Sequence, residues 1–109
     1  MKRAVKVDNK PLTIDDIVDK VCNHFNVKAD EVSGKSRKHD LVVARQVSMY
    51  LALKYTKMPA SRVGKLIAGR DHSTVIHSCE KVAERMKIDR NFCDEINSIE
   101  SSFQLKNRS

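Results

Sequence analysis

Apolar positions along this chain recur mostly at spacings of three and four, the pattern of amphipathic helices packed on one side. Ile14, Ile17, Val18, Val21, Cys22 and Phe25 form the first series and predict a helix over about 14–25. Thr13 followed by Asp16 resembles a capping box at its start, with Asp in place of the usual Glu. Val27 and Val32 bracket one short helical turn over 28–32. The stretch SGKSRKHD, 33–40, has no apolar residue and reads as a basic loop. Residues 40–57 then predict the longest helix. Val43, Val47, Tyr50 and Leu51 lie towards one side of it, and Val42, Met49 and Leu53 nearly opposite. A helix apolar on two sides is buried among others. Pro59 cannot continue that helix but suits the first turn of the next. PASRVGKLIAG gives about two turns, with Val63, Leu66 and Ile67 expected inward and Gly69 ending them in a left-handed conformation. A new helix begins near Asp71, with Val75, Cys79, Val82 and Met86 as its inward stripe. A last helix, about 90–105, puts Phe92, Ile96, Ile99 and Phe103 on one face. Residues 1–12 lack this periodicity and read as a linker or arm.

The composition agrees with an all-α reading. Three glycines, two prolines and 5% aromatics in 109 residues are too few for the turns of a sandwich or barrel. A chain of this length makes one domain and buries roughly two-thirds of its unfolded surface without staples. No signal-peptide pattern and no run of ~20 apolar residues is present, so a cytoplasmic protein is expected. Cys22, Cys79 and Cys93 form an odd, unpaired set, read as reduced core thiols.

Charge changes the picture more. The net charge is +7, and residues 33–70 hold nine Lys or Arg against the single acid Asp40. Like charges gathered so closely repel unless a polyanion meets them, and nucleic acid is the obvious one.

Next to this stretch lies GRDHSTV, 69–75. A short helix, a tight turn at Gly69 and a longer second helix describe a helix-turn-helix, whose second helix presents its N-terminal residues to base edges in the major groove. At ~100° per residue, Ser73 and His77 lie almost opposite the Val75–Met86 stripe, with Thr74 beside them. Asp71 and His72 sit at the helix mouth, where backbone N–H groups favour phosphate. Carboxylates and hydroxyls at such places can read base edges. Each residue also has a plainer role. Asp71 or Ser73 can cap the helix, His72 can be a solvated side chain, and Arg70 can pair with a carboxylate.

Two segments carry a more specific resemblance. GRDHSTVIHS closely resembles the signature of the C-terminal DNA-binding domain of the DnaA family of bacterial replication initiators, which typically reads G-G-R-D-H-[ST]-T-V-x-H-A. VVARQVSMYLALKYT is similar to the family's long helix, with its R-Q-x-A-M-Y-L core. The basic loop and the TIDDIVDKVCNHFNV opening fit as well, so the resemblance covers about residues 12–105. It implies a small all-α bundle with a helix-turn-helix, similar to the Trp repressor, binding double-stranded DNA at the AT-rich DnaA boxes of the origin, in the nucleoid. Arg37 would read the minor groove, and Asp71, His72, Ser73 and Thr74 the major groove. Lys35, Arg45, Gln46, Thr56 and His77 would contact phosphates. In the family an ATPase module lies N-terminal to this domain, so residues 1–12 would be the linker from it and 13–109 the DNA-binding domain. ATP would then belong to that module and not to this chain. The expected fragment is monomeric, with other initiation proteins as candidate partners. The chain departs from the pattern at Pro59-Ala60-Ser61, where the family has Ser-Leu-Pro, at Ala68 in place of a glycine, and at Ser78 in place of alanine.

Other chemistries fit less well. Gly34-Lys35-Ser36 ends like a P-loop, but Ala29 stands where the first glycine belongs and no apolar strand precedes it. His72, His77 and Cys79 are close in sequence, yet His77 and Cys79 point to different sides of one helix, and no Cys-x-x-Cys or His-Glu-x-x-His is present. No G-x-S-x-G or persuasive nucleophile–base spacing suggests an enzyme. A helical protein-interaction domain and a generic helix-turn-helix regulator are the remaining readings. The regulator would need a dimerisation helix to read a palindrome, and no heptad seam is visible.

Overall fold

The computed structural model of this chain describes residues 13–32, 38–69 and 71–108. The proposed arm 1–12, the loop residues Lys35 and Arg37, and Arg70 lie outside the described residues. Six helices are present among those described: α1 (Ile14–Phe25), α2 (Ala29–Val32), α3 (His39–Tyr55), α4 (Ala60–Ala68), α5 (His72–Ile88) and α6 (Arg90–Arg108).

The local signals act as expected at α1. The Thr13 hydroxyl accepts from the Asp16 backbone N–H at 3.2 Å, and the Asp16 carboxylate accepts from the Thr13 N–H at 3.3 Å. This reciprocal pair satisfies two donors that a helix start leaves orphaned. Asn26, at φ 59, closes the helix in the left-handed region.

Helix α3 is the axis of the bundle, with α1, α2, α4 and α5 packed around it. Its two apolar sides are both used: Leu41, Val43, Val47, Met49 and Leu51 are all buried. It spans 17 residues, and α6, at 19, is the longest helix instead. Thr56 takes an extended conformation and ends α3 before the expected residue 57.

Pro59 stands just outside α4 as its N-cap, and its carbonyl accepts the first helical bonds from Arg62 and Val63. The inward face of α4 differs from expectation. Val63 and Ile67 are buried, but Leu66 is 51% exposed. Gly64 is the third buried position. At ~100° per residue, Val63, Gly64 and Ile67 share one arc and Leu66 falls about 110° from its centre.

On α5, Val75, Ser78 and Val82 are buried, with Cys79 and Met86 half-buried beside them. Burial, and then the neighbouring Glu80, push the Cys79 thiol up to about 11, which leaves it an unreactive packing group. Phe92, Ile96, Ile99 and Phe103 of α6 are all buried as their spacing implied. Arg85 lies over the Phe92 ring, 4.1 Å from its centroid, and ties α5 to α6. The carboxylates at this side are engaged internally: Glu95 with His24 at 3.0 Å, Glu100 with Lys54 at 2.6 Å, and Asp89 with Arg85 at 3.5 Å.

Candidate nucleic-acid interface

The junction of α4 and α5 is built from two backbone signals. Gly69 closes α4 at φ 61, ψ 32, a left-handed conformation that a side chain strains even where space is open. Asp71 then opens α5 in extended conformation, with Oδ1 accepting from the Thr74 backbone N–H at 3.0 Å. That bond, and then one to the Thr74 side chain, hold the Asp71 carboxyl below the usual carboxylate range. Asp71 is therefore a cap, and Thr74 is its partner.

His72, Ser73 and Thr74 are exposed, while Val75 is fully buried immediately after them. His72 and Ser73 make no side-chain hydrogen bond among the described residues. His77 is exposed one turn beyond Ser73 on the same outer face. The structure thus brings Asp71, His72, Ser73, Thr74 and His77 together at one end of α5. The backbone donors there and the two uncommitted side chains suit a partner rich in acceptors and phosphate.

Of the other expected contacts, Arg45, Thr56 and Gln46 lie among the described residues. Arg45 is buried at 7% exposure, and its Nε donates to the Val32 carbonyl at 2.8 Å. The guanidinium ties α3 to the end of α2, where the basic loop leaves. The Thr56 hydroxyl donates to the Ala52 carbonyl at 2.6 Å and accepts from the Met58 N–H at 3.4 Å. Its proton is committed within the α3–α4 turn. Gln46 is half-buried and borders a recess with Lys81, Arg85 and Ile88.

Lys81 was not singled out by sequence. It is exposed on α5, one turn past His77, beside Gln46. The i, i+4 spacing from His77 was the available signal. Lys57, Arg62, Lys65 and Lys81 are exposed and form no ion pair among the described residues. No group of three or more His, Cys, Asp or Glu that could hold a metal ion occurs among the described residues.

Two helices set by a left-handed glycine, the second capped, buried on one side and polar at its mouth, define a helix-turn-helix domain. The family model for the bacterial DnaA protein helix-turn-helix matches residues 14–82. The chromosomal replication initiator protein DnaA of Bacteroides thetaiotaomicron is 43% identical over 103 residues, covering 94% of this chain and 22% of that protein. The DnaA proteins of Porphyromonas gingivalis and Wolbachia pipientis are 37% and 35% identical over 100 residues, each covering 92% of this chain and 21% and 22% of those proteins. The chain belongs to the DnaA family and corresponds to its C-terminal helix-turn-helix domain. It spans about a fifth of the length of the curated relatives it matches.

Proposed function

We propose that this chain is a sequence-specific duplex DNA-binding domain acting in the initiation of chromosome replication, with DnaA boxes as its target. The observation that carries this is the mouth of α5: His72 and Ser73 are exposed and uncommitted on a helix held rigid from behind by Val75 and capped by Asp71. In this reading His72, Ser73 and Thr74 face base edges, and Asp71 both caps the helix and accepts from a base amino group. His77 and Lys81 contact phosphate along the same helix, with Gln46 beside them. Lys35 and Arg37 keep the roles implied by the family resemblance, phosphate contact and minor-groove reading. Arg45 and Thr56, expected as phosphate contacts from the family resemblance, act here through internal bonds, Arg45 holding the end of α2 at the Val32 carbonyl and Thr56 shaping the turn into α4.

The domain acts by binding, without covalent chemistry of its own, over residues 13–109. Residues 1–12 act as the arm towards an ATPase module, where nucleotide belongs. The fragment binds as a monomer in the nucleoid of the cytoplasm, alongside other initiation proteins. No helix among the described residues is long and apolar enough to cross a membrane.

The test is a titration against a labelled duplex carrying a DnaA box and against a scrambled duplex, at two salt concentrations. Preference for the box, with log affinity falling by roughly 0.9 per log salt for each phosphate neutralised, is expected. Equal affinity for both duplexes would overturn the sequence-specific reading, and a flat salt response would overturn the DNA face itself.

A further inference from the structure

Helices α1 and α2 present acidic side chains to solvent in a chain that is basic overall. Between Thr13 and Val32 there are five acids and only two lysines, in a chain of net charge +7. Two neighbouring recesses, about 360 and 560 Å³, lie along α1 and α2 with Asp19, Ala29 and Asp30 lining both, and together they form a trough. Its upper end has Ile14, Val18 and Val32 at its floor, with Ile67 of α4 beside them. Leu66 forms one lip, half-exposed on α4. Asp15 and Asp19, both exposed, line the other side. The lower end reaches Asn23 and Val27. From Ile14 to Asn23 the trough follows α1 for roughly 13 Å, about two and a half helical turns.

We propose that this trough is a docking surface for a basic amphipathic helix of a protein partner. Charge selects the occupant. The rim carries Asp15, Asp19 and Asp30 against one cation, Lys28, and this net negative charge disfavours DNA phosphate and anionic lipid and attracts Lys and Arg side chains flanking an apolar stripe. Length selects the helix: two and a half turns accommodate apolar anchors at i, i+4 and i+7. Leu66 gives the stripe its contact, which accounts for a large apolar side chain left in water on a helix that buries Val63 and Ile67. The trough draws Leu66 and Ile67 from α4, the first helix of the helix-turn-helix, while its acidic side belongs to α1 and α2 and not to α5.

The probe is a synthetic helical peptide of about 15 residues, with Leu at i, i+4 and i+7 and Lys and Arg flanking them. Fluorescence anisotropy with the full chain reads its binding, next to an otherwise identical peptide carrying Glu in place of Lys and Arg. The basic peptide binds the unaltered chain, and the acidic one does not. Leu66→Ser and the double change Asp15→Asn/Asp19→Asn each weaken the basic peptide roughly five- to tenfold, with an unchanged helical circular-dichroism spectrum and melting curve for Leu66→Ser. Equal binding of the two peptides, or binding indifferent to both variants, overturns the proposal. Two further outcomes also overturn it by naming another occupant. One is a concentration-dependent dimer of the chain that Leu66→Ser abolishes. The other is a gain of tenfold or more in peptide affinity on removing residues 1–12.

Discussion

Replacing Arg45 by Ala separates two roles that sequence alone cannot distinguish. As a phosphate ligand, Arg45 would be expendable for folding. In the structure it is buried, with Nε 2.8 Å from the Val32 carbonyl. A buried hydrogen bond from a charged donor contributes about 1.5–3 kcal/mol. The stem methylenes add about 2 kcal/mol of apolar burial at ~0.8 kcal/mol each. Releasing a constrained Arg side chain returns up to ~2 kcal/mol of entropy. The net loss is about 2–4 kcal/mol. For a domain of about 100 residues each kcal/mol moves Tm by about 4–8 °C, so a drop of at least ~8 °C is expected. Arg45→Met, which keeps most of the stem, should lose less. Thermal unfolding by circular dichroism measures both, and DNA titration below the new Tm measures the remaining folded protein. If Arg45→Ala leaves Tm within ~3 °C while every duplex weakens and the salt slope flattens by about 0.9, the positioning role is refuted.

Other substitutions probe single features. Ser48 is fully buried, and its Oγ has no hydrogen-bond partner among the described residues; Ser48→Ala should therefore stabilise by about 1 kcal/mol, read as a Tm rise of a few degrees. The Asp71 carboxyl is lowered by the Thr74 N–H, so its contribution is present above the unfolded value of 3.8 and is lost as pH falls below it through the folded value. Asp71→Asn should accordingly show a shallower decline of Tm over that acid interval, and an unchanged decline would contradict the cap. Lys81→Ala should weaken box and scrambled duplexes alike and reduce the salt slope by about 0.9, without changing their ratio.

Much of the fold was legible because it is written locally. The capping box at Thr13 and the stripes of α1, α3 and α6 need only spacing, and the ending at Gly69 only one residue. What sequence could not fix was the depth at which each helix packs. Gly64 is buried on α4 where Leu66 was expected, because the buried arc of that helix is centred between Val63 and Gly64 and leaves Leu66 to one side. Arg45 is another such case: a cation in a basic stretch reads as a surface group until the Val32 carbonyl beside it is known. The site divides the same way. His72 and Ser73 stand at a helix start, so spacing alone puts them outside. Thr56 and Gln46 depend on which neighbours α3 meets, whereas Lys81 had a signal in its i, i+4 spacing from His77 on the face that begins at Ser73.

The central claim is that the mouth of α5 reads bases. It is tested most directly by the ratio of affinities for a DnaA-box duplex and a scrambled duplex, measured for the unaltered chain, His72→Ala and Ser73→Ala, with a melting curve for each. Both side chains are exposed and make no side-chain hydrogen bond among the described residues, so each variant should melt within ~2 °C of the original. Each should lose about 1–3 kcal/mol against the box and little against the scrambled duplex, so that the ratio falls roughly five- to 150-fold. Unchanged ratios in both variants, with DNA binding intact, would contradict the account.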